Sequence, residues 1–284
     1  MKNLRTVLLF VPADRPDFFT KAASSAADTL IFDLEDAVNP EQKEKSRLLL
    51  ERSLAELSFQ GRELAVRLNP LSSPWGRDDL SMVLCCDRIK TIVIPKADPA
   101  EIKLTEQLLG NSAIKIICLI ETARGLQLAY ETASASSRVD GLMLGAEDLA
   151  ADMNLRRTPA GQEIRHARHI IAMAAYAAAV QPIDTPYLQV DDLNGLRLDT
   201  LQARELGFTA KAALSPRQIS VIRDEFRPSP EEVEKAKRIL EAAGEAKKRG
   251  RGVVTLDGAM IDQPVIARAV WLLDFVRKAD SDGQ

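Results

Sequence analysis

The sequence predicts an α/β protein: a closed (β/α)8 TIM barrel with a C-terminal helical arm. Short apolar segments alternate with longer segments of helical periodicity, which is the pattern of parallel strands joined by crossover helices. Eight such apolar segments follow one another without a long interruption, which favours closure into a barrel over an open sheet. The 284 residues exceed the ~250 that this barrel typically needs. We therefore expect a barrel over residues 1–226 and a helical extension over residues 227–284.

The candidate strands share a high content of aliphatic and β-branched residues, as expected for strands that are buried on both faces. They are Thr6–Pro12, Thr29–Asp33, Leu64–Leu68, Thr91–Pro95, Ile114–Ile120, Gly141–Leu144, Pro182–Tyr187 and Ala210–Leu214. Helical periodicity is clearest over Glu41–Leu57 and Gln162–Val180. The dipeptide Asn39–Pro40 predicts an N-cap followed by proline at the first helical position.

The composition changes after Phe226. Pro228–Ser229–Pro230 interrupts the pattern, and Glu231–Lys248 then has the charged periodicity of a surface helix. The segment Pro264–Lys278 predicts a final helix. Between the two helices lies a basic, glycine-rich stretch, residues 247–252, which has two interpretations: a flexible linker or a phosphate contact.

Composition and charge exclude several classes of protein. A formal net charge of -3 gives no basic field for nucleic acid. No segment approaches the ~20 apolar residues of a membrane span, and Asp14 ends the short N-terminal apolar run too early for a signal peptide. Cys85, Cys86 and Cys118 fit neither a disulfide framework nor a metal motif, so we expect buried thiols in a reducing, cytoplasmic compartment.

Two strands of the predicted sheet end in acidic residues. Glu121 directly follows an apolar strand, and Glu147 and Asp148 follow the next one. Because the carboxyl ends of barrel strands meet at one face, these acids are expected to lie together. Paired carboxylates suit Mg²⁺, a hard cation that prefers oxygen ligands. The residues alone leave open whether Glu147 or Asp148 is the second ligand.

Other strand ends add charge to the same face. Asp33, Glu35 and Asp36 would repel one another if buried without a cation, so we expect them to orient Arg67 or metal-bound water; a helix N-cap is the alternative. Arg67 itself suits capture of a carboxylate or an ion pair with these acids. Lys96 would neutralise the acidic mouth, and a Schiff base at Lys96 is disfavoured because a metal already supplies the electron sink.

The two histidines, His166 and His169, lie within a predicted helix away from the strand ends, so a structural role is favoured over metal binding or catalysis. A Ser-His-Asp triad is therefore not predicted. Glycine-rich phosphate motifs of the P-loop or dinucleotide type are also absent from the sequence.

Seven short motifs in order along nearly the whole chain resemble the citrate lyase beta-subunit and malyl-CoA lyase family, within the HpcH/HpaI aldolase superfamily. The motifs are Leu9–Pro16 with Lys21, Phe32–Val38, Val66–Asn69, Ile94–Lys96, Ile120–Ala123, Gly145–Leu149 and Gly258–Pro264. Each motif is weak by itself, and their common order makes the resemblance specific.

The resemblance implies a Mg²⁺-binding barrel that cleaves a 3-hydroxyacyl-CoA thioester. It implies that Glu121 and Asp148 are metal ligands, with Glu121 beside the substrate, and that Arg67 holds the substrate. Phe10, Arg15 and Lys21 would contact substrate or CoA. Asp262 would be the acid/base, delivered by the C-terminal arm of an adjacent subunit in a homotrimer.

One departure from the family concerns substrate identity. Leu214–Ser215–Pro216 stands where the family often has Ile-His-Pro, so a histidine contact is replaced by the Ser215 hydroxyl. Citramalyl-CoA or malyl-CoA is the favoured substrate, and a citrate lyase beta subunit that cleaves a citryl thioester is the nearest alternative. A metal-dependent aldolase of free hydroxy-keto acids is disfavoured by the tail with Asp262 and by the Arg15 and Lys21 pair. A non-catalytic scaffold is disfavoured by the retention of Glu121, Asp148, Arg67 and Asp262 together.

Overall fold

The computed structural model describes residues 5–59, 61–248 and 254–281. The predicted barrel is confirmed: eight parallel strands hydrogen-bond in chain order, and the eighth pairs with the first. The strands are β1 Val7–Pro12, β2 Thr29–Asp33, β3 Glu63–Arg67, β4 Ile89–Ile94, β5 Lys115–Ile120, β6 Val139–Leu144, β7 Gln181–Asp184 and β8 Ala210–Ala213. β7 ends three residues before the predicted Tyr187, so Thr185 and Pro186 belong to the loop above the barrel.

Helices cover the outside of the barrel. They are α1 Pro16–Ala23, α2 Lys43–Glu56, α3 Gly76–Leu84, α4 Pro99–Leu109, α5 Ala123–Gln127, α6 Ala129–Ala133, α7 Ala146–Asp152, α8 Arg165–Ala177, α9 Leu193–Glu205 and α10 Pro216–Phe226. Short 3-10 turns precede α2 and α8. The predicted cap is present, because the Asn39 side chain accepts a hydrogen bond from the Glu41 amide at 3.1 Å.

Alternation along each strand divides the core into two parts. Inward-facing side chains such as Ile31, Val93, Ile117 and Met143 fill the barrel, whereas their neighbours in sequence pack against the helices. The lower end of the barrel is closed by Arg5, which pairs with Glu63 and Asp140. The upper end, where the strands terminate, is left for the site.

The cysteine prediction is wrong for one residue and only partly met for another. Cys118 is buried on β5, but Cys85 is exposed and Cys86 is half-buried. Cys85 is the C-cap residue of α3, so its side chain leaves the helix at the end that faces solvent. The burial expected from residue type was overridden by the position of the helix end.

The chain divides into two compact units, Met1–Phe226 and Arg227–Gln284. In the second unit α11 Pro230–Lys248 and α12 Gln263–Ser281 pack together, with the hairpin strands β9 Val254–Leu256 and β10 Ala259–Ile261 between them in sequence. Ile239, Ile261 and Ala269 belong to the small apolar cluster of this unit. Residues 249–252 of the basic stretch lie outside the described residues.

Asp257 and Gly258 form the two-residue turn of the hairpin, and both have positive φ angles, 50° and 79°. This is the Asp-Gly pattern of a tight hairpin turn. Among the described helices none combines the length and apolar character that crossing a bilayer requires.

Candidate active site

A cavity of about 370 Å³ opens at the carboxyl ends of the barrel strands. Its polar lining comprises Asp33, Asp36, Arg67, Glu121, Glu147, Asp148 and Thr185. Its apolar lining includes Phe10, Pro12, Phe18, Leu119, Met143, Pro186 and Leu214. The predicted strand-end residues therefore converge on one site, although Glu35, Lys96, Arg15 and Lys21 lie beside the cavity rather than in its wall.

The site continues the inward face of the barrel. Asp33 follows the inward Ile31 by two residues, Glu121 follows Leu119, and the same step leads from Met143 to Gly145. Because side chains alternate along a strand, the next inward position after the last core residue projects into the cavity. The apolar barrel thus forms the floor and the acids form the wall.

Arg67 is held by the acids that follow β2. The parallel register places Asp33 opposite Arg67, and the guanidinium donates two hydrogen bonds to Asp33, at 2.8 Å from Nε and 2.5 Å from Nη2. Nη1 lies 2.9 Å from Oε2 of Glu35 and 3.6 Å from Asp36. The guanidinium carbon lies 5.2 Å from the Phe10 ring centre. Arg67 therefore makes the ion pairs considered from the sequence and also borders the cavity.

Glu35 is a buried acid with an incompletely satisfied carboxylate. Its Oε2 is close to Arg67 but lacks hydrogen-bond alignment with any described residue. Burial raises the pKa of Glu35 to about 7; Arg67 opposes this rise, whereas Asp36 and Asp33 add to it. A buried carboxylate oxygen that has an ion pair but no aligned hydrogen-bond donor indicates a region that favours an added donor.

Glu121 is only 2% exposed, and contacts on two sides fix the position of its side chain. Its Oε1 accepts a hydrogen bond from the Lys96 amide at 2.8 Å. Burial, together with Glu35 and Asp148, raises the pKa of Glu121 to about 8. On its other side the side chain passes over Gly145, where a Cβ atom would lie 2.5 Å from the Glu121 Cβ.

Lys96 acts on Glu121 through its backbone. The residue has a left-handed φ of 47°, which is unfavourable for a side chain other than glycine and directs its amide toward the carboxylate. Its ammonium group makes no ion pair with a described residue. Burial raises the pKa of Asp148, and the positive charge of Lys96 opposes that rise, in line with the neutralisation expected from the sequence. Lys96 therefore acts on one acid through its amide and on the other through its charge.

The two acids after β6 differ in their partners. Glu147 accepts a hydrogen bond from Nε of Arg157 at 2.7 Å, and Arg157 also pairs with Glu163. Asp148 has no ion pair within the described part of the chain, and burial and Asp36 raise its pKa. Of these two acids, Asp148 is therefore the one whose carboxylate is not held by an arginine ion pair among the described residues.

The donor set fits Mg²⁺. Within residues 5–59, 61–248 and 254–281, no group of three or more His, Cys, Asp or Glu side chains forms a closed metal site. Mg²⁺ is usually bound by one or two carboxylates and completes its octahedron with water and substrate oxygens. Glu121 and Asp148 supply that number, and burial, with neighbouring acids adding to it, raises the pKa of both carboxyls, so a cation that binds there replaces a proton.

The residues assigned to substrate or CoA differ in position. Phe10 lies in the cavity wall. Arg15 and Lys21 flank the Phe18 ring, at 4.4 and 5.3 Å from its centre. Arg15 is exposed and pairs with Asp17 at 3.1 Å. The two cations therefore lie around an aromatic residue that borders the cavity.

Asp262 belongs to the second unit, immediately before α12. Its Oδ1 accepts a hydrogen bond from the Val265 amide at 3.2 Å, which is an N-cap interaction. The carboxylate therefore has a structural role as well as the acid/base role that the resemblance implies.

Several residues of the site were not predicted from the sequence. Thr185, Leu214, Met143 and Gly145 border the cavity, and Lys43 fixes the loop after β2 from outside it. The period-two alternation could have found those that follow inward core positions. Lys43 gives no such signal, because it lies at the start of a helix and reaches the loop through tertiary contacts.

A parallel barrel with an acidic mouth at its carboxyl ends is an enzyme scaffold, and comparison with known proteins agrees. The chain belongs to the HpcH/HpaI aldolase/citrate lyase family, whose model matches residues 6–216. This confirms the family expected from the motifs and the class of enzyme, a lyase.

Individual relatives cover nearly the whole chain. A citrate lyase subunit beta of Haemophilus influenzae is 37% identical over 282 residues, which span 96% of this chain and 97% of that protein. A (3S)-malyl-CoA thioesterase of Cereibacter sphaeroides is 32% identical over 263 residues, 92% of this chain and 91% of that one.

Solved structures agree with the fold. CitE of Mycobacterium tuberculosis, in complex with magnesium, acetoacetate and coenzyme A, has a TM-score of 0.83 at 33% identity; the match covers 98% of this chain and 100% of that one. A citrate lyase beta subunit of the same organism, complexed with oxaloacetate and magnesium, has a TM-score of 0.69 at 33% identity, covering 79% and 98%.

Proposed function

We propose that this chain is a Mg²⁺-dependent carbon–carbon lyase that cleaves a 3-hydroxyacyl-CoA to acetyl-CoA and a 2-oxo acid. Citramalyl-CoA and malyl-CoA are the favoured substrates. The observation that carries the proposal is that Glu121 and Asp148, which has no ion pair among the described residues, line one cavity together with Arg67. The CitE structure solved with magnesium and coenzyme A supports both the ion and the thioester class.

Glu121 and Asp148 would hold Mg²⁺ at the cavity wall. The ion, when bound, lowers the pKa of a hydroxyl group and stabilises negative charge on oxygen. In the cleavage direction the substrate hydroxyl releases its proton to solvent water, and the bond between the hydroxyl carbon and the carbon next to the thioester breaks. The bonding electrons move to the thioester, giving its enolate.

Arg67 offsets the negative charge that develops on the substrate, since its guanidinium borders the cavity and remains charged in its acidic surroundings. Asp262 donates a proton to the enolate carbon and completes acetyl-CoA. In the condensation direction the Asp262 carboxylate removes that proton. Proton transfer requires the Asp262 oxygen to come within ~3 Å of this carbon.

The C-terminal unit is proposed to supply Asp262 to a neighbouring subunit of a homotrimer. Asp262 precedes a helix in a unit with its own apolar cluster, so its position depends on how that unit docks. Arg15 and Lys21 would meet CoA phosphates at the rim, with modest, salt-sensitive affinity. A cytoplasmic location accords with three cysteines that are all free thiols.

The decisive experiment is a panel of thioesters assayed with Mg²⁺ and with EDTA: malyl-CoA, citramalyl-CoA and citryl-CoA, beside a free hydroxy-keto acid. Mg²⁺-dependent release of acetyl-CoA with a 2-oxo acid is expected for the first or second compound. Glu121→Ala should abolish turnover and weaken Mg²⁺ binding sharply. Turnover that persists in EDTA, or unchanged Mg²⁺ affinity in this variant, would refute the proposal.

Two other activities are distinguished by the same panel. A citrate lyase beta subunit is favoured by the 37% identity to such a subunit, and it would act on the citryl thioester alone. A thioesterase, the activity named for another relative, would release free CoA and the intact hydroxy acid without any 2-oxo acid. Quantifying all four products separates these outcomes from cleavage to acetyl-CoA.

Subunit sharing is tested by mixing two inactive variants, Glu121→Ala and Asp262→Asn, through co-expression. If Asp262 comes from a neighbour, random assembly restores about a quarter of the sites, because one chain supplies Glu121 and the next supplies Asp262. If Asp262 acts within its own chain, the mixture stays as inactive as its components.

A further inference from the structure

Four charged side chains are buried together beside β7 and β8, away from the residues discussed above. Arg168 of α8 donates to Asp184 at 2.9 Å from both Nε and Nη2, and to Asp199 of α9 at 2.7 Å. Lys211 of β8 donates to Asp184 at 2.5 Å and to Asp199 at 2.7 Å. We name these four residues the buried quartet. Its two cations and two anions balance.

The buried quartet is costly to form. Removing four charges from water is a penalty that their mutual attraction only roughly offsets, and apolar residues of similar volume would stabilise a core at least as well. Asp184 and Lys211 point outward from the barrel, between the strands and the helices. Their value to the protein therefore lies in the geometry that they fix.

One hydrogen bond leads from the buried quartet toward the cavity. Nζ of Lys211 donates to the carbonyl oxygen of Thr185 at 2.7 Å, in addition to its two carboxylate contacts. Thr185 is the first residue after β7. The hydrogen bond from Lys211 therefore fixes the Thr185 carbonyl against the outer side of the strand end. Its side chain borders the cavity.

The hydroxyl of Thr185 has an unused hydrogen. Oγ1 accepts a hydrogen bond from the Ala146 amide at 3.2 Å, which occupies a lone pair and leaves the O–H available. Thr185 is 2% exposed, and within the described residues its hydroxyl donates to no acceptor. A buried donor at the edge of a cavity favours an acceptor from the ligand.

We infer that Thr185 is a substrate-binding residue whose hydroxyl donates a hydrogen bond to an oxygen of the 2-oxo acid portion of the substrate. The buried quartet positions it through Lys211, and the Ala146 amide orients the hydroxyl. The acidic wall attracts a cation, whereas Thr185 supplies a neutral donor that does not compete with that cation. This assignment rests on the proposed function for the identity of the ligand.

The alternative is that Thr185 only caps the first turn of α7 through Ala146. The two roles differ in their consequences. A cap contributes to stability and to the position of Asp148, so its loss would alter unfolding and Mg²⁺ affinity. A substrate contact changes the affinity for the oxo acid after Mg²⁺ has bound.

The test uses the full-length Thr185→Val and Thr185→Ser proteins, titrated by calorimetry first with Mg²⁺ alone and then with pyruvate or glyoxylate at saturating Mg²⁺. Valine keeps the shape and removes the hydroxyl, whereas serine keeps the hydroxyl. Thr105→Val is the matched control, because Thr105 is buried in α4 and its hydroxyl donates to Glu101 within the helix. Thermal unfolding is recorded for all variants.

Thr185→Val should weaken oxo acid binding at saturating Mg²⁺ roughly five- to tenfold, the worth of one hydrogen bond, and by a larger factor than any loss of Mg²⁺ affinity that the missing Ala146 contact causes. Thr185→Ser should restore binding, and Thr105→Val should affect stability alone. Two results would overturn the assignment while the proposed function stands. One is equal oxo acid affinity in Thr185→Val and the wild type. The other is a loss of Mg²⁺ affinity in Thr185→Val as large as its loss of oxo acid affinity. A wild-type protein that binds neither acid with Mg²⁺ overturns both.

Discussion

Gly145 is the residue on which the position of Glu121 depends most directly. It ends the inward face of β6, and the Glu121 side chain crosses the space that a side chain at 145 would fill. A Cβ there would lie 2.5 Å from the Glu121 Cβ and 2.7 Å from Oε2. Because the Glu121 side chain occupies the space that a side chain at position 145 would fill, even alanine at that position should displace the carboxylate.

Gly145→Ala should displace Glu121 and weaken Mg²⁺ binding on the order of tenfold or more. The measurement is a Mg²⁺ titration by calorimetry. Gly244→Ala is the matched control, because a Cβ at 244 in α11 meets nothing within 4 Å and alanine favours a helix. Unchanged Mg²⁺ affinity in Gly145→Ala would show that Glu121 is not a ligand or that its neighbours yield freely.

The raised pKa of Glu121 predicts a dependence on pH. Its pKa is about 8 in the folded protein because of burial and the nearby acids Glu35 and Asp148, against an ordinary value of 4.5 in the unfolded chain. The stability that comes from this protonated acid is fully present below pH 4.5 and is lost as pH rises through about 8. Glu35, with a pKa of about 7, acts in the same direction.

In EDTA, the free energy of unfolding should therefore carry a contribution from these acids that falls between about pH 5 and pH 8. Mg²⁺ competes with the proton, so its affinity should rise over the same interval and level off above pH 8. Denaturant unfolding and Mg²⁺ titration at several pH values measure both quantities. A Mg²⁺ affinity that is constant from pH 6 to pH 8 would contradict a protonated Glu121.

At the scale of elements, the loop after β2 is held from two sides. Arg67 binds its carboxylates, whereas Lys43, at the start of α2, donates to the Leu34 and Glu35 carbonyl oxygens at 2.8 and 2.6 Å. A lysine at a helix N-terminus is unfavourable for the helix dipole. Lys43 is nevertheless buried at this position because its ammonium group binds the carbonyl oxygens of the loop.

Lys43→Met should destabilise the protein by ~2–3 kcal/mol, because it removes a charged donor from two loop carbonyls. Lys45→Met, two residues away and exposed, is the control and should change stability little. Denaturant unfolding measures the difference. Equal stability of the two variants would mean that water replaces the Lys43 ammonium without cost.

The ends of elements show what local patterns control. Seven strands lie close to their predicted positions, because each carries a buried apolar run that fits a parallel strand. β7 is shorter than predicted: its pairing ends at Asp184, and Lys211 and Arg168 bind that carboxylate. Those contacts join residues far apart in sequence and leave no local signal.

At the scale of the molecule, the two compact units have separate apolar clusters. The clusters of the barrel lie within residues 7–226, and that of the C-terminal unit lies within residues 236–273. The barrel therefore contains the contacts that a folded domain needs. The acid/base proposed for the reaction is in the other unit.

A chain that ends at Phe226 should fold cooperatively and bind Mg²⁺ but lack turnover. Full-length Asp262→Asn should show the same loss of turnover with unchanged Mg²⁺ affinity, and asparagine retains the capacity to cap α12. Calorimetry, thermal unfolding and the thioester assay measure the three properties. Full turnover by either protein would remove Asp262 from the mechanism.

The sequence by itself determined the barrel, the family and the acids at its mouth. Apolar periodicity and strand-end position are local properties, and they indicate which residues reach the carboxyl face. The ordered motifs added the choice of Asp148 over Glu147, which the partners of the two side chains support.

Only the tertiary structure decided how the acids are held. Gly145 gives Glu121 its space, the left-handed amide of Lys96 binds it, and Lys43 fixes the loop of Glu35. Each contact joins different strands or helices, so its distance depends on barrel closure and strand register. These distances therefore cannot be predicted from residue type and spacing along the chain alone.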